Sequence, residues 1–282
     1  MANPTAGQGL GPARRMASIL ARHGARVDIA PTEYAGHARE LARAAAHAGA
    51  ADVLVASGGD GTSGEVMAGL IGSSLPLAIL PAGTANVTAL SLGLPAEADA
   101  LARYILEGPA VPFRPALANG QPFLCVASVG VDAEAVRRVS LELKRRAGKL
   151  AYAAAGAAAL AAPPPRFEVH ANGRHFEAAQ MIVSRVPFYA GRFRLFPDAR
   201  PFADELNVLV VRPGGRTRLI RFAAMAALGR HEGLRSVVRL SCEQVHVAAP
   251  APVAAQVDGD AFGTTPVTFS LAPDAVLLKH WG

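Results

Sequence analysis

One aspartate in the first third of the chain lies inside a glycine-rich turn. Residues 57–62 read SGGDGT and follow an apolar run, Ala51 to Ala56, that predicts a buried strand. Glycines allow a backbone to approach a bulky group, and amide groups at the start of a helix favour phosphate. A carboxylate beside phosphate is unfavourable unless a cation such as Mg²⁺ lies between them. The pattern therefore predicts a phosphate site with Asp60 as a metal ligand.

A second glycine turn follows a short distance along the chain. Residues 81–86 read PAGTAN and follow another apolar run, Leu75 to Leu80. Two strands that end in such turns predict one edge of an open parallel sheet, where ligands bind. One turn of this kind is typical of any strand-to-helix connection, whereas two turns, one carrying an acid, favour a phosphate site. Between them, Thr62 and Glu65 predict a capping box at the start of a helix.

Alternating helices and strands surround these turns. Apolar periodicity predicts helices over Gly11 to His23 and Glu33 to His47, with a strand over Arg26 to Ala30 between them. The alternation continues to about Leu94 and is typical of a parallel α/β sheet. We therefore predict a Rossmann-like parallel α/β nucleotide domain over residues 1–110.

The second half has a different pattern, in which tight Asn-Gly turns separate short apolar runs. These turns are Asn119-Gly120 and Asn172-Gly173, and Asp258-Gly259 predicts another, between Val253–Val257 and Val267–Leu271. Further strands are predicted at Leu206 to Val211 and Val237 to Val247, and helices near 132–162 and 217–229. Residues 111–282 are therefore predicted to form an antiparallel β-sandwich-like domain, with a last segment able to return to the first domain.

Composition limits the partners and the compartment. The 282 residues are 51% hydrophobic, with a net charge of +6 and a pI of about 9.9, which suits an anionic partner. Two cysteines fit a reducing cytoplasm, and no signal peptide is visible. The best candidate for a membrane span, Leu150 to Ala162, is shorter than the ~20 residues required. The eight histidines form no HExxH motif and no cysteine pair has zinc spacing, so zinc is not expected.

GGDGT followed by a PxGTAN turn resembles the catalytic domain of the diacylglycerol kinase family, in its bacterial lipid-kinase branch. Residues 3–7 (NPTAG) resemble the opening turn of that family, and GVD at 130–132, GKLAY at 148–152 and DGD at 258–260 follow in the family's order. GGDGT alone is shared with NAD kinases and phosphofructokinases, whereas the ordered set is more specific. The resemblance covers nearly the whole chain.

This resemblance implies a cleft between the two domains as the active site, with ATP on the first domain and an acceptor lipid toward the second. It implies that Asp260 is the catalytic base, where the family usually has glutamate, and that Asp60 and Asp132 help to bind Mg²⁺. Asp204 is the nearest match to the family's structural metal turn, and the resemblance implies that it is a further metal ligand. The implied nucleotide-binding positions are Asn3, Thr32, Gly58, Gly59, Asp60, Gly61, Thr62, Gly83, Thr84 and Asn86. For Thr32, capping of the following helix is an alternative.

Several positions depart from the family pattern. Gly64 stands where the family usually has Asn, and Val87 stands where it often has Asp. Few apolar residues precede Asn3. Either the start codon is misassigned or the first strand is nearly absent.

We expect ATP- and Mg²⁺-dependent phosphorylation of a lipid hydroxyl, diacylglycerol-like, as in phospholipid biosynthesis. The alternatives are a soluble-metabolite kinase such as an NAD kinase, disfavoured by the hairpin-rich domain and DGD motif, and a non-catalytic nucleotide- or lipid-binding relative.

Two basic clusters predict a surface for an anionic partner. With a lipid substrate, the expected partner is an anionic membrane, so the protein would be cytoplasmic and peripheral on the inner face of the membrane. Nucleic acid is not expected, because aromatic residues are not interleaved with the charges. A solvated face is the alternative. The clusters are Arg137, Arg138, Lys144, Arg145, Arg146 and Lys149, and then Arg212, Arg216, Arg218 and Arg221.

Overall fold

The computed structural model describes residues 1–49, 51–138, 159 and 162–281. The chain divides into two compact units. The first comprises Met1–Pro115, Arg200–Ala203 and Ala272–Gly282, and the second comprises Ala116–Ala199 and Asp204–Leu271. An α/β unit and an antiparallel β-sandwich unit are present, which confirms the predicted fold class. No helix in the described part of the chain is long and apolar enough to cross a bilayer.

The first unit contains a four-stranded sheet in the order β1-β2-β18-β3. Strands β1, β2 and β18 are parallel, and β3 is antiparallel at one edge. Strands β1 and β2 are almost fully buried, as their continuous apolar sequences require. The strands are β1 Leu54–Gly58, β2 Leu77–Pro81, β3 Ala110–Phe113 and β18 Val276–Lys279, and the helices are α1 Gly11–Arg22, α2 His37–Ala48, α3 Asp60–Leu70, α4 Val87–Ser91 and α5 Ala98–Glu107.

The capping box predicted at Thr62 and Glu65 is wrong. Helix α3 begins two residues earlier, at Asp60, after Gly59 in an extended conformation. Thr62 is therefore buried inside the helix. The Glu65 carboxylate instead accepts hydrogen bonds from the backbone N–H groups of Gly36 at 2.9 Å and Ala38 at 3.2 Å, so it caps the neighbouring helix α2.

The strand predicted over Arg26 to Ala30 does not form. A strand needs a partner over several residues, and here Ala2 alone makes bridges, to Pro31 and Ser57. The first strand of the sheet is therefore reduced to a single bridging residue. The apolar side chains of Val27 and Ile29 consequently remain 37% and 38% exposed.

The second unit contains two six-stranded sheets. Their orders are β13-β12-β9-β6-β15-β16 and β5-β4-β17-β14-β7-β8, and a two-stranded pair, β10-β11, accompanies them. Alternate side chains of both sheets form one buried apolar cluster, as in a sandwich. The strands are β4 Ala116–Ala118, β5 Gln121–Phe123, β6 Val126–Gly130, β7 Phe167–Ala171, β8 Arg174–Ala178, β9 Gln180–Ser184, β10 Phe188–Tyr189, β11 Phe193–Arg194, β12 Leu206–Val211, β13 Val237–Cys242, β14 Gln244–Ala248, β15 Ala254–Val257, β16 Asp260–Thr264 and β17 Val267–Leu271. The described helices are α6 Val131–Arg138, α7 Gly215–Ala227 and a 3-10 turn, His231–Gly233.

The tight turns of the second unit are mostly as predicted. Asn119-Gly120 and Asn172-Gly173 have positive φ at both residues and join β4 to β5 and β7 to β8. Asp258-Gly259 is also a hairpin turn, but the strand after it is β16 and not Val267–Leu271. The predicted strand Val237 to Val247 is two strands in different sheets, with the break at Glu243. The helical region predicted near 132–162 begins with α6, and the rest of it lies mostly outside the described residues.

Candidate functional site

The two glycine turns meet at one edge of the parallel sheet, because β1 and β2 are paired in parallel and both turns follow them. The backbone N–H of Gly83 donates to the carbonyl of Gly58 at 3.1 Å. A Cβ on Gly83 would lie 2.5 Å from the Cα of Gly59, so the two backbones touch. A side chain at Gly83 would force the turns apart.

The opening turn, residues 3–7, joins the same cluster. The N–H of Asn3 donates to the carbonyl of Ser57 at 3.0 Å, and the Asn3 amide nitrogen donates to the Thr62 hydroxyl at 3.2 Å. Gly7 has a φ of +39°, and a Cβ there would collide with the carbonyl of Ala82. Three turns that are far apart in sequence are therefore packed together at the carboxyl ends of the strands.

Asp60 connects the first of these turns to the second. Its Oδ1 accepts hydrogen bonds from the Thr88 N–H at 2.9 Å and hydroxyl at 2.8 Å, and its Oδ2 accepts one from the Val87 N–H at 3.0 Å. The carboxylate thus binds the first amides of helix α4. An acid in this turn therefore has a structural reason that requires no cation.

The other predicted nucleotide-binding residues lie around these turns. Asn86 has a φ of +47°, and its side chain exchanges two hydrogen bonds of 2.9 Å with the backbone of Gly83. Thr84 is exposed at the tip of the same turn. Thr32 is buried, and its N–H donates to the carbonyl of Ala2 at 2.9 Å. Because α2 begins at His37, Thr32 is not its cap, so that alternative is wrong.

Asp132, in the second unit, is an acid in a desolvated position at the start of α6. Its Oδ2 accepts a hydrogen bond from the Tyr189 hydroxyl at 2.5 Å, and its Oδ1 accepts bonds from the Gln180 amide and from the Ala133 N–H at 2.7 Å. Burial raises the pKa of the Asp132 carboxyl above its ordinary value, although these hydrogen bonds and one from Ser128 oppose the rise. Burial, with the charge of Asp132, raises the pKa of Tyr189 well above its ordinary value.

A chain of buried polar groups leads from Asp132 to the 258–260 turn. Ser128, which is hydrogen bonded to Asp132, accepts a bond of 2.9 Å from the Gln256 side-chain amide. The Gln256 oxygen in turn accepts a bond of 2.9 Å from the N–H of Gly259. The acid at the start of α6 and the DGD turn are therefore parts of one network.

Asp258 has a structural role within that turn. Its carboxylate accepts hydrogen bonds from three successive backbone amides, those of Leu124, Cys125 and Val126, at 2.8–2.9 Å. Its φ of +49° is the left-handed conformation that a hairpin turn requires. Asp260 begins the edge strand β16, and its side chain is exposed. The two acids of the motif are thus in different environments, one fixed to the backbone and one facing solvent.

The predicted metal ligands differ in how well they suit Mg²⁺. Asp60 keeps an oxygen, Oδ2, that accepts one hydrogen bond and can accept another contact. Asp132 is less available to the ion, because both of its carboxylate oxygens already accept hydrogen bonds, from Tyr189, Gln180 and the Ala133 N–H. Asp204 is exposed and belongs to no group of three ligand-type side chains among the described residues. Asp60 is therefore the acid that fits a Mg²⁺ ion carried by phosphate and water.

Sequence reasoning missed four polar residues of the buried network. Three of them share one signal, because they are polar residues within or at the start of otherwise apolar strands, and the fourth lies in the short strand β10. A buried polar group needs a partner, so each interruption of an apolar run was informative. The four are Ser128, Gln180, Gln256 and Tyr189.

Comparison with known families and structures gives a consistent result. The model of the diacylglycerol kinase catalytic domain matches residues 1–116, and that of the YegS C-terminal NAD kinase beta sandwich-like domain matches residues 125–280. A diacylglycerol kinase of Bacillus subtilis (strain 168) is 29% identical over 280 residues, which are 95% of this chain and 90% of that one. An uncharacterised protein of Synechocystis sp. is 30% identical over 232 residues; the match covers 79% of this chain and 53% of that protein's length.

Solved structures show the same fold. A Bacillus anthracis str. Sterne protein, provisionally named a diacylglycerol kinase, superposes with a TM-score of 0.80 at 23% identity and covers 99% of this chain and 95% of its own. At that identity the likeness concerns the fold alone. Because one family model matches more than half of the chain and the other matches most of the rest, the chain belongs to the bacterial diacylglycerol kinase-like family.

Proposed function

We propose that this protein transfers the terminal phosphoryl group of ATP to the hydroxyl of a lipid of the diacylglycerol type. Membership of the family supports kinase activity on an alcohol in general. The observation that carries the proposal is the packing of three glycine-containing turns at the carboxyl ends of β1 and β2, the edge where open parallel sheets bind ligands.

The phosphates of ATP would bind at the start of helix α3. Its N-cap, Gly59, provides no side-chain cap for the first amides of the helix, and a helix N-terminus attracts anions. The close approach of Gly59 and Gly83 leaves backbone and not side chains around this point. Asn3, Thr62 and Asn86 would act by holding the turns, since their side chains bond to one another or to the backbone.

Asp60 would have two roles. Its carboxylate fixes the second turn through Val87 and Thr88, and Oδ2 would contact Mg²⁺ that arrives with ATP. When bound, Mg²⁺ neutralises phosphate charge during phosphoryl transfer. We assign no metal role to Asp132 or Asp204.

Asp260 is the proposed base that accepts the proton of the acceptor hydroxyl. Asp260 is exposed at the start of the edge strand β16, whereas Asp258 binds three buried amides. Gln256 would position Asp260, because it holds the N–H of the intervening Gly259. Asp132 would act through the same network as a positioning residue.

The rival acceptor is a soluble metabolite such as NAD. The sequence pattern predicts that the hairpin-rich second unit disfavours an NAD kinase, but the family model that matches this unit is itself described as NAD kinase beta sandwich-like. The sandwich therefore does not discriminate between the two acceptors. The lipid acceptor is supported by the diacylglycerol kinase model over residues 1–116 and by the Bacillus subtilis relative.

Contact with an anionic membrane is part of the proposal. Helix α7 carries the exposed apolar side chain of Ile220, 52% exposed, one turn after the exposed Arg216, and Leu228 at its end is 68% exposed. Apolar and basic side chains together suit a membrane surface. In the first basic cluster, Arg137 and Arg138 both pair with Glu134, and the remaining members lie outside the described residues.

A turnover assay with three acceptor conditions tests the function. Purified protein is given ATP and Mg²⁺ with diacylglycerol in mixed micelles, with NAD, or with neither, and phosphorylated product is measured directly. The proposal expects product with the lipid. Product with NAD alone would favour the soluble-metabolite kinase, and ATP binding without product in any condition would favour a non-catalytic relative.

A further inference from the structure

A cluster of histidines lies on the exposed face of the second sheet, and it includes none of the residues assigned above. His170 on β7 is directly opposite His175 on β8 in the antiparallel register, and it is also opposite His246 on β14. Glu168 precedes His170 by two residues and so shares its face of the strand. Four side chains able to bind metal therefore stand together across three neighbouring strands.

Three of these side chains have the spacing of a metal site. The Glu168 Oε2 atom is 3.4 Å from the His170 Nε2 atom and 3.6 Å from the His175 Nε2 atom. All three ligand atoms lie within 4.8 Å of one another. Ligands at 2.0–2.1 Å from a tetrahedral Zn²⁺ ion are separated by about 3.3 Å, so small side-chain rotations would bring this set onto one ion.

We propose that Glu168, His170 and His175 bind one divalent transition-metal ion of the Zn²⁺ class. Two imidazoles and one carboxylate are the ligand set that leaves an open fourth position on such an ion, and Mg²⁺ does not favour imidazole. His170 and His175 line an open groove of about 480 Å³, which has room for water or a small ligand at that position. The sequence motifs predict no zinc site, because strand register and not a helical motif brings these ligands together.

His246 is a neighbour of the site and not one of its ligands. Its Nδ1 is 2.9 Å from the Thr268 hydroxyl, and its ring centroid is 6.3 Å from that of His170, compared with 4.9 Å for His175. It therefore supplies a matched control on the same sheet face. His23, exposed in the first unit, supplies a second control for non-specific binding to surface histidine.

The test uses the full chain, freed of any affinity tag and treated with chelator. Zn²⁺ is titrated by calorimetry, and Co²⁺ is titrated by visible absorption, which reports the coordination geometry. We expect one saturable equivalent. His170→Gln and His175→Gln should each weaken binding at least 10-fold, since even outer-shell partners contribute roughly 10–100-fold.

The controls decide whether the site is specific. His246→Gln and His23→Gln should change the affinity less than threefold, and circular dichroism should show that all four variants are folded, because these side chains are exposed. Absence of a saturable step in the parent protein would overturn the proposal. Equal loss of binding in His23→Gln and His170→Gln would also overturn it, because binding would then be spread over surface histidines.

Discussion

Substitution of Asp258 in the DGD turn should lower the stability of the fold, whereas substitution of Asp260 should lower the rate of phosphoryl transfer. Asp258 accepts hydrogen bonds from the backbone amides of Leu124, Cys125 and Val126, and these three residues are 1%, 4% and 6% exposed. In Asp258→Ala the three amides lose their acceptor. A buried donor left without a partner costs about 1–3 kcal/mol, so the loss is about 3–6 kcal/mol if water restores some of the bonds.

Asp258→Asn separates the loss of charge from the loss of the turn. Asparagine tolerates the positive φ at this position and keeps one acceptor oxygen, so we expect a smaller loss of about 2–3 kcal/mol. Asp260 is exposed at the start of an edge strand, and Asp260→Asn should change the free energy of unfolding by less than about 0.5 kcal/mol. As the proposed base, the same variant should lower the transfer rate roughly 10²–10⁴-fold.

Urea denaturation and a transfer assay on the three variants measure both effects. The change in the free energy of unfolding is calculated from the shift in the urea midpoint, with the m-value held constant. ATP affinity is measured separately so that a rate defect is not confused with a binding defect. Asp260→Glu, which restores the usual family residue, should keep substantial activity. An Asp258→Ala protein whose unfolding free energy is within 1 kcal/mol of the parent value would refute the assigned role of Asp258, and normal transfer by Asp260→Asn would move the base elsewhere.

Three further predictions follow from the two units separately. Gly83→Ala should abolish ATP binding in equilibrium dialysis, because the new Cβ would lie 2.5 Å from the Cα of Gly59. Gly233→Ala is the control and should bind ATP normally, because the space around its new Cβ is open. Normal binding by Gly83→Ala would be evidence against a nucleotide at these turns. Burial raises the pKa of Asp132 in the folded state, so the native protein binds more protons at this group than the unfolded chain does. The contribution of Asp132 to stability is therefore present below the unfolded pKa and is lost as pH rises through the folded pKa. Denaturation curves from pH 4 upward should therefore show a flatter pH dependence in Asp132→Asn than in the parent, and identical profiles would contradict the raised pKa. Finally, Arg221→Glu on α7 should weaken sedimentation of the protein with anionic vesicles, and added salt should do the same. Arg22→Glu, the same charge change at an exposed residue of the first unit, should leave sedimentation unchanged. Equal binding of the parent protein to anionic and neutral vesicles would contradict the proposed membrane contact.

The parts of the fold that could be predicted from the sequence are those set by local chemistry. Asn119-Gly120 and Asn172-Gly173 form tight turns because both residues adopt positive φ easily, whatever surrounds them. The capping box was wrong because the helix started earlier than Thr62, and the Glu65 carboxylate found amides in a helix that precedes it by almost 30 residues. Such a tertiary partner is not visible in a local pattern.

The candidate site shows the same division. The glycine turns and their meeting at one sheet edge could be predicted, because parallel strands end at the same edge. The bond from Asp60 to Val87 and Thr88 could not, because it depends on how the second turn folds back. The pairing of His170 with His175 likewise depends on the strand register of β7 and β8, which the hairpin fixes only once it forms.

Transfer of radiolabelled phosphate from ATP into a total lipid extract tests the central claim most directly. The labelled product is separated and identified, and Asp260→Asn is the matched control because its fold should be unchanged. The proposed function predicts label in one phosphorylated lipid, of the phosphatidic acid type, with a loss of roughly 10²–10⁴-fold in the variant. Label that stays in ATP and inorganic phosphate, in a protein that binds ATP, would contradict the claim that this chain is a lipid kinase.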